Sequence, residues 1–137
     1  MKRTIVYGVA AALVGLGAAS AQQGAKITSL VDSSLTMSGQ AIAYPAGKPK
    51  IAALLGELAP GGETGKHAHP YPQLTYILQG EVLLELEDGS KHQYKAGEAF
   101  LDAVGVWHNA KNIGSAPAKF LVVAMGEKGK STTVRPH

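Results

Sequence analysis

The chain contains no cysteine among its 137 residues. This absence excludes disulfide bonds, and it also excludes thiolate ligands for a metal ion. Any metal that the protein binds must therefore be held by nitrogen and oxygen atoms. The fold itself must be stabilised by the packing of its side chains.

The sequence also lacks an excess of charge of one sign. It has 13 Lys and Arg residues against 10 Asp and Glu residues. Lys2 and Arg3 precede the first apolar run, so the chain from Gln22 onward has 13 − 2 = 11 basic residues against 10 acidic ones. Nucleic-acid binding requires clustered basic side chains that neutralise phosphates. The composition therefore argues against a nucleic-acid partner.

Long hydrophobic runs are missing as well. The apolar run from Ile5 to Ala18 is shorter than the roughly 20 residues of a membrane span. It follows Lys2-Arg3 and precedes Ala19-Ser20-Ala21, which is the pattern of a signal peptide with its cleavage site. We therefore expect a signal peptide over residues 1–21, one mature domain over residues 22–137, and a secreted, periplasmic protein without a lasting membrane span.

The remaining chain carries the signals of β-strands. No stretch combines a helical period with a capping residue at its start. Asp88-Gly89 predicts a hairpin turn, because Gly tolerates the positive φ that such turns need. These features predict an all-β sandwich or barrel with loosely held ends, residues 22–26 and 127–137. The apolar runs that predict strands are Lys50–Ala59, Leu74–Leu78, Glu81–Leu86 and Lys119–Met125.

Three of the five histidines form a pattern typical of a metal site. His67 and His69 are two residues apart, so an extended chain turns both imidazoles to the same side. His108 follows two hairpin signals and can fold back beside them. Imidazole is the commonest metal ligand in proteins, and three of them leave positions open for water or substrate. The alternative is a barrel that carries these side chains without a metal, and we expect His92 and His137 to be exposed.

The spacing of these residues resembles the two motifs of the cupins. The first motif is Gly, five residues, His-x-His, three or four residues, Glu, six residues and Gly; the second is Gly, five residues, Pro-x-Gly, two residues, His, three residues and Asn. The chain follows both motifs in register, with Gln73 in place of the Glu and Ala103 in place of the Pro. The matching residues are Gly61, His67, His69, Gly80, Gly97, Gly105, His108 and Asn112.

The resemblance implies a double-stranded β-helix, a jelly-roll-like barrel, with His67, His69, His108 and Gln73 as the metal ligands. An amide oxygen carries no charge, so an ion bound through Gln73 keeps one more positive charge than it would with Glu. Gln73 alternatively contacts the ligands without touching the ion. We expect one divalent ion, Zn, Cu or Ni in preference to Mn or Fe, because nitrogen ligands outside the cytosol favour the former.

Other residues of the two motifs are candidates for contact with a substrate. Tyr76, Phe100 and Trp107 lie in or beside the motifs and are predicted to bind substrate, since aromatic walls are common in small-ligand sites. The alternative for each of them is a place in the core. The second motif contains two carboxylates, and we expect Glu98 to lie in a loop. Asp102 is a candidate general base unless strand alternation turns it outward.

Three functions are compatible with this reading of the sequence. The first is a metal-dependent enzyme, such as an oxygenase of the dioxygenase type, a decarboxylase, an isomerase or a hydrolase, acting on a small oxygenated or carboxylate-bearing molecule. The second is a non-catalytic envelope protein that binds a metal or a small ligand. The third is a structural domain that forms a homodimer. One fold hosts many chemistries, so the resemblance does not choose among them.

Overall fold

The computed structural model describes residues 24–137, all of whose regular structure is β-strand. The predicted signal peptide, residues 1–21, lies outside this range. Within it, no residue belongs to a helix long and apolar enough to cross a membrane. The strands are β1 (Pro49–Leu58), β2 (Gln73–Gln79), β3 (Glu81–Leu86), β4 (Lys91–Lys95), β5 (Ala99–Leu101), β6 (His108–Asn112) and β7 (Ala118–Glu127).

The strands form two antiparallel sheets that share one core. The first sheet has the order β1-β7-β2-β5 and the second the order β4-β3-β6. Strands alternate in the direction of their side chains, so each sheet turns one set of apolar residues inward. The buried core cluster draws on both sheets and comprises Ile77, Val82, Leu84, Leu86, Phe100, Ala103 and Ala118.

The all-β class and the predicted strands are confirmed. Each of the four apolar runs coincides with a strand to within two residues at either end, and the Asp88-Gly89 hairpin joins β3 to β4 with Gly89 at a φ of 85°. The apolar pattern did not reveal β5 and β6. β5 has only three residues, and β6 reads HNAKN, which lacks the apolar alternation on which strand prediction depends.

Apolar side chains also remain on the outside of the first sheet. Tyr44 is 80% exposed, and on β1 Ile51 is 65% and Leu55 78% exposed. β1 lies at the edge of its sheet, where unpaired backbone groups are available to a further strand. The homodimer stays a prediction.

Asn112, the last residue of the second motif, ties β6 to two other parts of the fold. Its side chain is 1% exposed. Nδ2 donates to the carbonyls of Leu58, at 3.0 Å, and of Ala116, at 2.8 Å, while Oδ1 accepts from the Gly114 amide at 2.9 Å. A side chain with two donors and one acceptor is therefore required here, and Asn supplies them without charge.

We expect Asn112→Asp to destabilise the protein by about 2–4 kcal/mol, because a buried carboxylate would face two carbonyls that have lost their donors. Asn109→Asp is the matched control, since Asn109 donates at the surface to Glu63 and should change stability by less than about 1 kcal/mol. Urea unfolding of both variants measures the difference. Equal stability of the two variants would contradict this role of Asn112.

Candidate metal centre

The segment from His67 to His69 is held by backbone hydrogen bonds on both of its sides. His67 and His108 form two reciprocal backbone hydrogen bonds, of 2.9 and 2.8 Å. The Gly105 amide donates to the His69 carbonyl at 2.8 Å. Ala68 exchanges a second pair, of 2.9 and 3.0 Å, with Val134. The segment is thus extended, as its spacing predicted, although it consists of isolated bridges and is not part of a long strand.

This arrangement brings three imidazoles together. The ring centroids of His67 and His108 are 4.3 Å apart, those of His67 and His69 4.9 Å, and those of His69 and His108 5.1 Å. One nitrogen of each ring lies within 4.8 Å of a nitrogen of both others. All three residues are buried, with exposures of 4 to 7%. The three residues thus form a group that could hold one metal ion.

Backbone carbonyls fix which nitrogen of each ring is free. Nδ1 of His67 lies 2.8 Å from the carbonyl of Gly65, and Nδ1 of His108 lies 3.0 Å from that of Val106. Nδ1 of His69 lies 3.1 Å from the carbonyl of Thr132, 63 residues further along the chain. A carbonyl only accepts, so each Nδ1 carries the proton and each Nε2 keeps its lone pair.

Burial keeps the rings of His67 and His69 neutral. Desolvation lowers the pKa of His67 and His69 from 6.5 to about 4, and the backbone hydrogen bonds at Nδ1 oppose this effect only in part. The positive charge that His108 would carry lowers the pKa of both rings further. Near neutral pH the lone pairs of His67 and His69 are therefore available to a cation.

A cavity of about 170 Å³ opens beside the histidines. A water molecule occupies about 30 Å³ in the liquid, so the cavity has room for a molecule of only a few heavy atoms. Its lining is mainly apolar and comes from both sheets. The lining residues are Leu54, Thr64, His67, His69, Gln73, Thr75, Ile77, Val82, Leu84, Phe100, Asp102, Ala110, Phe120, Val122, Thr133 and Arg135.

Of the three aromatic residues predicted to bind substrate, the structure brings only Phe100 to this cavity. Phe100 stacks on Tyr94 with a centroid distance of 3.9 Å. Tyr76 follows Thr75 on β2, so alternation turns it to the opposite face, where it meets Leu74 and Leu101. Trp107 lies under the Lys66 ammonium, which is 5.7 Å from its ring centroid. Tyr76 and Trp107 are therefore not part of the cavity wall.

Gln73 and Asp102 form a buried polar pair in the cavity wall. The Gln73 amide Nε2 donates to Asp102 Oδ2 at 2.8 Å, and the Thr75 hydroxyl donates to the same oxygen at 2.7 Å. Burial raises the pKa of the Asp102 carboxyl, while the bonds from Thr75 and Gln73 act in the opposite direction. Asp102 thus faces inward, and Gln73 as a metal ligand stays a prediction.

Sequence reasoning missed the C-terminal end of the chain. We expected residues 127–137 to be loosely held, but Glu127 belongs to β7 and Val134 pairs with Ala68. Thr133 and Arg135 line the cavity. The run Thr132-Thr133-Val134 was the available signal, because β-branched residues favour an extended chain.

The comparison with known families follows this geometry. A family model described as the cupin domain matches residues 54–124, which is more than half of the chain. The chain belongs to the cupins. Among curated proteins, it is similar to the Beta-alanine degradation protein BauB of Pseudomonas aeruginosa, with 37% identity over 65 residues. That match covers 46% of this cupin and 68% of the relative.

Solved structures show the same fold. A double-stranded β-helix protein from Klebsiella pneumoniae is 23% identical, with a TM-score of 0.53 over 68% of this cupin and 88% of that chain. The formate complex of Lactobacillus farciminis oxalate decarboxylase is 25% identical, with a TM-score of 0.53 over 61% of this cupin. Bacillus subtilis oxalate decarboxylase, which has Mn(II) centres, is 26% identical with a TM-score of 0.52 over 61%. This cupin covers only 26% and 23% of the two decarboxylase chains.

The metal-free cupin should lose stability as the pH falls from about 6.5 to about 4. In this window unfolded histidine binds a proton that folded His67 and His69, with a pKa of about 4, do not yet bind. Asp102 acts with the opposite sign, because its raised pKa favours proton uptake in the folded state. Urea unfolding of chelator-treated protein should therefore show a steeper pH dependence for the wild type than for His69→Gln. Equal pH dependence in both proteins would contradict the neutral, buried rings.

Gln73→Glu should strengthen metal binding and weaken the metal-free fold. The carboxylate adds an anionic oxygen beside the histidines, but it removes the donor to Asp102 and places two acids together. We expect a loss of about 1–3 kcal/mol in the free energy of unfolding. Thr75→Val is the matched control, because it removes the other donor to the same oxygen without adding charge, and it should leave metal affinity unchanged. Unaltered metal affinity in Gln73→Glu would show that residue 73 does not face the ion.

Proposed function

We propose that this cupin is a metal-dependent enzyme that acts on a small carboxylate-bearing molecule. The observation that carries the proposal is the convergence of three imidazoles whose Nδ1 atoms are all engaged by carbonyls. The Nδ1 bonds leave the three Nε2 lone pairs free, and one cation can accept all three. In this proposal His67, His69 and His108 hold one divalent ion.

The donor set bears on which ion binds. Three neutral nitrogens favour Zn, Cu or Ni, whereas Mn and Fe bind more strongly where carboxylates contribute. We therefore propose Zn, Cu or Ni, with Mn or Fe as the alternative; the Bacillus subtilis decarboxylase has Mn(II) centres. Such an ion would supply Lewis-acid polarisation of a carbonyl or carboxylate oxygen.

The cavity supports a small acid as the substrate. Its volume of about 170 Å³ is well below the roughly 300–1,000 Å³ of sites for drug-sized ligands. Ile77, Val82, Leu84 and Phe100 line it and exclude water from the bound molecule. The oxalate decarboxylases with similar structures act on a molecule of this size class, which supports decarboxylation or oxidation of a small acid as the reaction class.

Asp102 is the residue that we propose for proton transfer. Its Oδ2 accepts from both Gln73 and Thr75, so Oδ1 is the oxygen left to carry or accept a proton. Burial raises its pKa, which brings proton exchange closer to neutral pH than for an exposed Asp. The Gln73 and Thr75 donors hold the carboxyl in place while the proton moves.

The cellular setting is part of the proposal. The sequence of residues 1–21 predicts export, so we propose that the mature cupin meets its metal in the periplasm. No cytosolic metal buffer would then oppose the affinity order of the nitrogen ligands.

His69→Ala should abolish stoichiometric metal binding while the barrel stays folded, because the core lies elsewhere in the two sheets. His92→Ala is the control, since His92 is a half-buried residue of β4 that belongs neither to the histidine cluster nor to the cavity lining. This variant should retain one ion per chain. Elemental analysis and circular dichroism measure both properties. One tight ion per chain in His69→Ala would refute the site.

Turnover separates the enzyme from the binding protein. The metal-loaded wild type should convert at least one member of a panel of oxalate, small keto acids and small hydroxy acids, and His69→Ala should not. Stoichiometric metal with no turnover on any member would favour the non-catalytic binding protein.

A further inference from the structure

Four residues near the C-terminus, Thr132–Arg135, form a strap across the histidines. Val134 exchanges two backbone hydrogen bonds with Ala68, between the two histidines of the first motif. The Thr132 carbonyl accepts from His69 Nδ1 at 3.1 Å. Arg135 Nη1 donates to the Thr64 carbonyl at 2.9 Å. The strap is therefore anchored at three successive points and has a fixed position over the site.

Alternation along the strap directs every second side chain into the cavity. Thr133 and Arg135 both line it, on the wall that also contains His67 and His69. Arg135 is exposed to solvent at its outer side, so its guanidinium lies where the cavity opens to water.

The charge of Arg135 is not neutralised by the rest of the described chain. Among residues 24–137, no other Lys or Arg lines the cavity, and no carboxylate forms an ion pair with Arg135. A guanidinium has five N–H donors, and the bond to Thr64 uses one of them. The remaining donors suit a carboxylate, which they can bind through two parallel hydrogen bonds.

We propose that Arg135 binds the anionic group of the ligand and so selects small carboxylates over neutral molecules of the same size. The inference rests on the proposed function, because it assumes a ligand at the histidine centre. It adds a recognition residue outside both sequence motifs, delivered by the C-terminal strap.

The test compares an anionic and a neutral probe on Zn²⁺-loaded protein by calorimetry. Oxalate carries the anionic groups, whereas imidazole ligates the metal without charge. Arg135→Gln should weaken oxalate binding about 10- to 100-fold, since hydrogen bonds to charged groups are of that strength. Imidazole and Zn²⁺ affinities should not change, and Arg135→Lys should fall between wild type and Arg135→Gln.

Lys130→Gln is the matched control, because it removes one positive charge from the same exposed end of the chain without touching the cavity lining. It should bind oxalate within about twofold of the wild type. A similar loss in Lys130→Gln would indicate a general effect of charge and overturn the assignment of Arg135.

Two further outcomes separate the failure of this inference from failure of the proposed function. This inference fails if Arg135→Gln binds oxalate as tightly as the wild type does. It also fails if the variant loses Zn²⁺ and imidazole affinity in parallel with oxalate affinity. Both outcomes leave the proposed function standing. A wild-type protein that takes up no Zn²⁺, Cu²⁺, Ni²⁺, Mn²⁺ or Fe²⁺ would overturn the proposed function, and this inference with it.

Discussion

The site depends on three hydrogen bonds between imidazole Nδ1 atoms and backbone carbonyls. His67 and His108 use the carbonyl two residues earlier in the chain, while His69 uses that of Thr132. Each bond sets the tautomer and the ring orientation at once, and it leaves Nε2 as the free nitrogen of each ring. Because the acceptors are backbone atoms, the geometry follows from the path of the chain and is insensitive to most nearby substitutions.

This dependence explains why the C-terminal strap belongs to the site. His69 lacks a local acceptor of the kind that Gly65 and Val106 provide for the other two rings. The strap supplies one, and its pairing with Ala68 holds the carbonyl in position. Since Thr133 and Arg135 alternate with the residues that make these backbone contacts, the same segment also forms part of the cavity wall. The strap Thr132–Arg135 thus both orients the His69 ring and shapes the cavity wall.

The sequence predicted the histidine cluster and the main strands because both rest on local spacing. His67 and His69 needed only an extended chain, and the apolar runs of β1, β2, β3 and β7 needed only their pattern. Tyr76 and Trp107 lie outside the histidine cavity for a different reason. Membership in a motif does not state which face of a strand a side chain takes, and Tyr76 follows an inward-facing Thr75. The strap was missed because its contacts with Ala68 and Thr64 span more than 60 residues of sequence.

The exchange of Glu for Gln at position 73 has a different meaning in the structure than in the sequence. Read alone, it leaves a bound ion with one more unit of positive charge. In the fold, the Gln73 amide donates to the Asp102 carboxyl, so this carboxyl lies directly behind the Gln73 side chain. A Glu at position 73 has no donor for this carboxyl and would face it as a second acid, whereas Gln binds it with Nε2 and turns Oε1 away from it. Of the two residues, only Asp102 can ionise, and burial raises the pKa of its carboxyl. The pair Gln73–Asp102 therefore places one amide and one carboxyl side by side in the cavity wall, where a Glu at position 73 would place two acids.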